Sequence, residues 1–331
     1  MSPSQPTLFG ESQADTNLSG LSTPAMLAEL LNVPVVAVRR WHRRGALLAT
    51  CTIRKLPYFD FAEATIARKL ASLVHAGCSL SEVDRKLDEL AASLPDCRRP
   101  LADPTIVVHG AQLLERRGEE LIQPGGQLLL EFEQECALFI AEEPLSDEII
   151  AFPVSIESPN QQLNKPDSLQ APLAASKDLG DALREELLQQ AVDFEVAGEF
   201  AQATETYRAL LLAGANDAEV QFALADVLFM QGDISAARER YYMALELDEE
   251  FIEARLSLGC VLASAGETEL AIAAFEGALE LHREYADAHF HLANALQQAG
   301  QTERAKSHRE TFLELAPESP WASSVREQLQ T

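Results

Sequence analysis

Apolar residues recur at helical spacing near both ends of the chain and at strand spacing in the middle, which divides it into three parts. In the first part, Ser22-Thr23-Pro24 supplies an N-cap followed by proline in the first turn, and Ala25, Met26, Leu27, Leu30 and Leu31 form the apolar face of a short helix. Asn32-Val33-Pro34 leaves room only for a tight turn. Val35, Val38 and Trp41 then repeat at helical spacing and would face a core, leaving Arg39, Arg40, Arg43 and Arg44 on the remaining surface of a second short helix that Gly45 ends. Ala49 to Tyr58 is rich in β-branched residues around Arg54-Lys55, as expected of a small hairpin. Asp60 can cap a third helix running to about His75 and closed by Gly77-Cys78-Ser79. Ser79 or Ser81 caps a fourth, with Val83, Leu87, Leu90 and Leu94 on one stripe.

Between Arg98 and Val154 the period changes. Thr105 to His109, Ala111 to Glu115, Glu120 to Ile122 and Gln127 to Phe132 are short apolar runs separated by the turn signals Arg117-Gly118 and Pro124-Gly125-Gly126, which predicts a small β-rich module. Glu131, Glu133 and Glu135 alternate with Phe132 along one strand face, a solvated edge or else a site for a cation or a basic partner. Ser155 to Lys177 is rich in Pro, Ser, Gln and Asn and reads as a flexible linker.

From Arg184 the chain repeats with a period of 34: Gly198, Gly232, Gly266 and Gly300 are each followed five residues on by Ala203, Ala237, Ala271 and Ala305. Tyr207, Tyr241 and Phe275 follow four further on, with Arg309 out of pattern, and then Leu210, Ala244, Ala278 and Phe312. Small residues at fixed positions let paired helices approach closely, and the aromatic fills the gap beside them. This resembles the tetratricopeptide repeat, with four helix pairs stacked into a solenoid, Pro317 at the motif's terminal proline and Trp321 to Leu329 as a capping helix. The resemblance implies that protein or peptide partners bind the concave face, whose candidates are Glu219, Phe222, Asp226, Glu253, Leu256, Cys260, Asp287, Phe290, His291 and Asn294. Most charge there is negative, so the expected partner is apolar or basic.

Charge separates the two ends of the molecule. The chain carries a net charge of −26 over 331 residues, but residues 21–100 hold 12 basic against 8 acidic side chains, while everything from Leu101 onward sums to −28. A basic module is thus carried on an acidic body, which points to nucleic acid at one end and argues against a general polyanion binder. Four guanidiniums on two helical turns repel one another, a cost usually met where a polyanion is in view. The five cysteines show no CxxC spacing and fit reduced thiols. The first 20 residues read as a disordered tail without a leader pattern, and a soluble, cytoplasmic protein is expected. There is no Walker A, G-x-G-x-x-G, G-x-S-x-G or H-E-x-x-H motif, and His289 and His291 point apart on a helix, so no enzyme, metal or cofactor is expected.

Val33, Val38-Arg39, Trp41, Gly45-Ala46-Leu47-Leu48, Phe59, Gly77-Cys78-Ser79-Leu80 and Glu82-Val83, in that order, resemble the winged-helix DNA-binding domain of MerR-type transcriptional regulators over about Leu21 to Leu94. The resemblance implies a recognition helix and wing on double-stranded DNA, with Val35, Val36, Arg39, Arg40, His42, Arg43, Arg44, Arg54, Lys55 and Tyr58 as the candidate contacts. Asn32 and Pro57 depart from the family's usual Gly and Arg, and Pro95 and Pro100 interrupt the chain where relatives continue into a long pairing helix, which leaves the oligomeric state open. The expected fold is mainly α: a tail (1–20), a winged helix-turn-helix (21–97), a β-rich module (98–154), a linker (155–177) and an α-solenoid (178–331). The expected function is a DNA-binding regulator whose repeats bind protein. The alternatives are an acidic adaptor whose N-terminal module docks on protein, and a regulator whose acidic body folds back over the basic helix until a partner takes the repeats.

Overall fold

The computed structural model describes residues 18, 20–95, 97, 99–118, 120–124, 127–129 and 173–330. Thr23 accepts the Met26 N–H at 3.2 Å and starts α1 (Pro24–Leu31), which ends at Asn32 in the left-handed region. After a two-residue turn, α2 (Val35–Arg43) closes through Gly45, whose φ of 77° lets Ala46 and Leu47 donate back to the Trp41 carbonyl. Strands β1 (Cys51–Ile53) and β2 (Leu56–Tyr58) pair antiparallel across Arg54-Lys55. Asp60 caps α3 (Phe61–His75), and Ser79 with Glu82 forms a reciprocal capping box on α4 (Leu80–Ser93). Trp41, Leu47, Phe59, Leu70 and Leu80 are buried in the core these elements share.

One expectation for α2 is corrected. Arg40 is not on the outer surface: it is buried, with Nη2 and Nε at 2.5 and 3.2 Å from Asp84 Oδ2 on α4, and Arg44 Nε lies 3.5 Å from the same carboxylate. The reason is periodic. Ala37, Arg40, Trp41 and Arg44 share the stripe that turns toward the module's interior, so an arginine there must be neutralised from within.

A single 3-10 turn (Pro100–Ala102) leads into an antiparallel meander of β3 (Ile106–His109), β4 (Gln112–Arg117), β5 (Glu120–Ile122) and β6 (Leu128–Leu129). Leu101, Ile106 and Leu113 join the core of the N-terminal module, so this small sheet packs on it. The acidic run at Glu131, Glu133 and Glu135 lies outside the described residues.

The C-terminal part is a solenoid of four helix hairpins: α5 (Leu173–Val196) with α6 (Phe200–Leu212), α7 (Ala218–Met230) with α8 (Ile234–Leu247), α9 (Ile252–Ser264) with α10 (Thr268–Leu281), and α11 (Ala286–Gln298) with α12 (Thr302–Leu315). A final helix, α13 (Ala322–Gln330), covers the last apolar face with Ala322 and Val325. Helix α5 begins inside the stretch expected to be linker, because Leu173, Ala174 and Ala175 are good helix formers that composition averaging had merged with their polar neighbours. Ala203, Ala237, Ala271 and Ala305 have no exposed surface, and Tyr207, Tyr241 and Phe275 fill the spaces beside them. At Gly259 the approach is so close that a Cβ would fall 2.4 Å from the Phe275 ring.

The Arg40–Asp84 pair is testable. Asp84→Ala strands a buried guanidinium and should destabilise the N-terminal module by about 3–5 kcal/mol, whereas Arg40→Met with Asp84→Leu should recover most of the loss. Chemical unfolding followed by Trp41 fluorescence checks both, and equal stability of Asp84→Ala and the parent would contradict the pairing.

Candidate interaction groove

Helices α7, α9 and α11, the first of each of the last three hairpins, line the inner face of the solenoid, and the N-terminal module lies in it. Because Ala37, Val38 and Trp41 are held in the module's own core, Arg39 and Arg43, one turn apart, point from the opposite side of α2 into the repeats. Arg39 Nη1 donates to Asp226 Oδ2 at 2.9 Å, while Nη2 and Nε donate to Glu253 Oε1 at 3.1 and 3.2 Å. Its guanidinium carbon sits 4.5 Å from the centroid of the Phe222 ring, so the same group is stacked as well as paired. Arg43 Nη2 reaches Glu219 Oε2 at 3.6 Å on the more exposed rim.

Helix α1 and the hairpin make further contacts. The Thr23 hydroxyl donates to Asp287 Oδ2 at 2.8 Å, and Met26, 2% exposed, is buried against Ala286, Phe312 and Ala322 beside the stacked rings of Phe290 and Trp321. At the hairpin tip, Arg54 pairs with Glu250 and Lys55 with Asp248, both from the α8–α9 loop. Tyr58 Oη is 2.7 Å from His282 Nε2, and Leu56 and Tyr58 belong to the apolar core of the repeats. On the flank, Ser81 of α4 donates to Asp193 of α5, and Gln189 Nε2 donates to Ser81 Oγ at 2.6 Å.

The tip carries a conformational cost. Arg54 and Lys55 both have positive φ, 48° and 67°, as a two-residue turn of the I′ kind requires. Asn-Gly suits such a turn far better, and bulky side chains in the left-handed region cost roughly 1–2 kcal/mol each.

Burial shapes the ionisation of the groove. It opposes the charge on Arg39, yet Glu253 and Asp226 hold the guanidinium well above its ordinary value. Burial pushes Glu195 up to about 8, with Asp226 adding to the shift, and its Oε2 accepts the Tyr207 hydroxyl at 3.1 Å. Asp287 is pushed up to about 7 by burial, and its Oδ1 has no hydrogen-bond partner. Burial drives His282 down to about 4, so its ring is neutral at pH 7 beside the Tyr58 hydroxyl, whose own ionisation burial suppresses.

Five of the residues expected on DNA, Arg39, Arg43, Arg54, Lys55 and Tyr58, thus come together on one face, and that face is turned into the repeats. Arg40 and Arg44 meet Asp84 instead, and His42 Nδ1 lies 3.1 Å from the Leu47 carbonyl with its ring edge-on to Phe59. Val35 and Val36 pack on the module's core. On the repeat side, Glu219, Phe222, Asp226, Glu253, Asp287 and Phe290 all surround the N-terminal module. Leu256 is buried, and Cys260 is half-buried with its thiol pushed up to about 12 by burial. His291 stacks on Phe275, and Asn294 is half-buried on α11. Sequence reasoning missed Thr23, Met26, Asp248, Glu250 and His282. The last three lie in loops between hairpins, outside any counting of helix positions, and only the awkward Arg-Lys turn hinted that the tip had a specific partner.

Residues 188–250 and 262–329 each match a tetratricopeptide repeat family, and no curated protein sequence matches the chain. Among solved structures, MamA is 24% identical with a TM-score of 0.39 over 43% of this chain and 85% of its own. YrrB, described as a TPR protein with an unusual peptide-binding site, is 20% identical with a TM-score of 0.41 over 46% and 79%. PilF of Pseudomonas aeruginosa is 23% identical with a TM-score of 0.42 over 45% and 68%. The repeat matches support a protein-interaction role for the C-terminal region. No helix among the described residues is long and apolar enough to cross a membrane.

Asp287 gives the interface a pH dependence. Covered by the N-terminal module it titrates at about 7, facing Thr23 together with Glu253, Tyr58 and Tyr285. Exposed to water it would return to about 3.9. The closed state therefore holds the extra proton, and its advantage is full below the lower value and lost as pH rises through about 7. Hydrogen exchange in α1, corrected for intrinsic rates, should rise more steeply between about pH 5 and pH 8 in wild type than in Asp287→Asn, a difference that isolates this carboxyl from His282, whose lowered value acts with the opposite sign.

Proposed function

We propose that this protein is an interaction switch: the repeat groove is a protein-binding site whose resting occupant is the chain's own basic N-terminal module, and a partner that takes the groove releases that module. The observation that carries this reading is Arg39, bridged between Asp226 and Glu253 and stacked on Phe222. Removing one side of a charge-assisted pair of this burial costs about 2–5 kcal/mol, whereas the half-exposed Arg43–Glu219 and Arg54–Glu250 pairs add about 0–1 kcal/mol each. Closure therefore depends on one side chain more than on the number of contacts.

What the released module does has two answers. As an adaptor, it docks on a second protein with the face it presents to the repeats. As a winged helix-turn-helix, it binds duplex DNA, and the observation favouring this is that Arg39 and Arg43 from the helix and Arg54 and Lys55 from the hairpin share one face. In either case the repeats and the outside partner compete for the same cations, so the groove acts as an internal stand-in for a polyanion.

The full-length Asp226→Asn/Glu253→Lys variant separates the outcomes. Losing the bridge should raise affinity for duplex DNA by about tenfold or more, because a larger fraction of molecules is open. With about 4 to 6 phosphate contacts, the opened variant should show a log–log salt slope of about −4 to −5. Adding Arg39→Ala and Arg43→Ala should then abolish binding. Faster amide exchange in α2 without any gain in DNA affinity would assign the module to protein docking.

A further inference from the structure

Opening the molecule uncovers a groove whose chemistry is narrower than "acidic". Tyr241 of α8 donates to Asp226 Oδ1 at 2.5 Å, leaving Oδ2 turned toward Arg39. Glu253 stands one hairpin further along, and the Phe222 ring, itself packed 4.8 Å centroid to centroid against Phe251, forms the floor. All of these belong to the repeats. The Asp226 carboxylate is oriented by a hydroxyl of the repeats themselves, so this half of the site is preorganised, while Glu253 takes its hydrogen bonds from Arg39.

Two carboxylates at an angle above an aromatic face suit one side chain. A guanidinium presents three N–H groups in a plane to the two acids and its flat surface to the ring, as Arg39 does. A lysine ammonium is a compact point without a planar face and cannot bridge both acids while stacking. Glu195, pushed up to about 8 by burial and by Asp226, marks how many acidic groups crowd the same region. An apolar partner would cover Asp226 Oδ2 and Glu253 without supplying a cation, which penalises that class of ligand.

We infer that the groove between α7 and α9 is an arginine-recognition site, and that the protein partner which displaces the N-terminal module does so with an arginine presented on a helix. The inference rests on the resting-state reading above and narrows it. The pocket that holds Met26, walled by Phe290, Phe312 and Trp321, offers such a partner a second anchor for an unbranched apolar side chain.

The probe is a fluorescent peptide copying residues 34–45, held helical by a staple between positions 37 and 41, which face the core in the intact chain and not the repeats. Three versions carry arginine, lysine or citrulline at position 39 and are titrated into the full-length Arg39→Ala protein. The arginine peptide should bind about thirtyfold more tightly than the other two, and Asp226→Asn in the same background should erase the difference. Arginine and lysine peptides within about twofold of each other, or no binding by any of them, would overturn the inference. A second readout needs no peptide: in the full chain, Arg39→Lys should accelerate amide exchange in α2 as much as Arg39→Ala does, and wild-type protection in Arg39→Lys would equally overturn it. The resting state is read separately. Wild type should bind the arginine peptide about tenfold more weakly than Arg39→Ala. Equal binding with the arginine preference intact would uphold the site while removing the cis occupant.

Discussion

The placement of a single guanidinium organises the relation between the two halves of this molecule. Arg39 is the point at which a cation from the basic end is taken out of water by the acidic end, paired with Asp226 and Glu253 and stacked on Phe222. Desolvating a charge is costly, and it is offset here because two carboxylates and a ring are met at once. The outer contacts have a different character. Arg43, Arg54 and Lys55 lie at the rim, where solvent screens them, and they orient the module more than they hold it.

Apolar contacts extend the same interface in two directions. Met26 at one end and Leu56 with Tyr58 at the other are buried against the repeats, so α1, α2 and the hairpin each contribute one anchor. These anchors come from elements that are rigid within the module, because Trp41 and Phe59 fix α2 and the hairpin to a common core. Opening would therefore move the module as a body. A left-handed Arg-Lys turn and a buried Asp287 with one unsatisfied oxygen are locally unfavourable features, and both lie on this interface.

Much of the local architecture was legible in the chain. Thr23 and Ser79 as caps, Gly45 as a helix end, the Arg54-Lys55 hairpin and the period of 34 are all short-range signals, set by backbone geometry and by the spacing of small and aromatic residues. Six of the ten groove residues chosen by repeat position do surround the module, because a solenoid converts sequence register directly into surface position. Arg40 was misread since amphipathic spacing assigns arginines to the outside unless a buried acid is known, and Asp84 is 44 residues away. The opposite charges of the two ends made association between them possible in outline without specifying which groups would meet.

The elements, the repeat register and the sign of charge on each half are readable along the chain, since each follows from interactions between residues close in sequence or from simple composition. Only the assembled fold sets the basic face of α2 against α7 and α9, turns Arg40 inward, and brings Thr23 and Met26 to the last repeats. The Arg39–Asp226 and Thr23–Asp287 contacts join residues 187 and 264 positions apart. Their pairing depends on the shape of two assembled surfaces, and no periodicity in either segment encodes it.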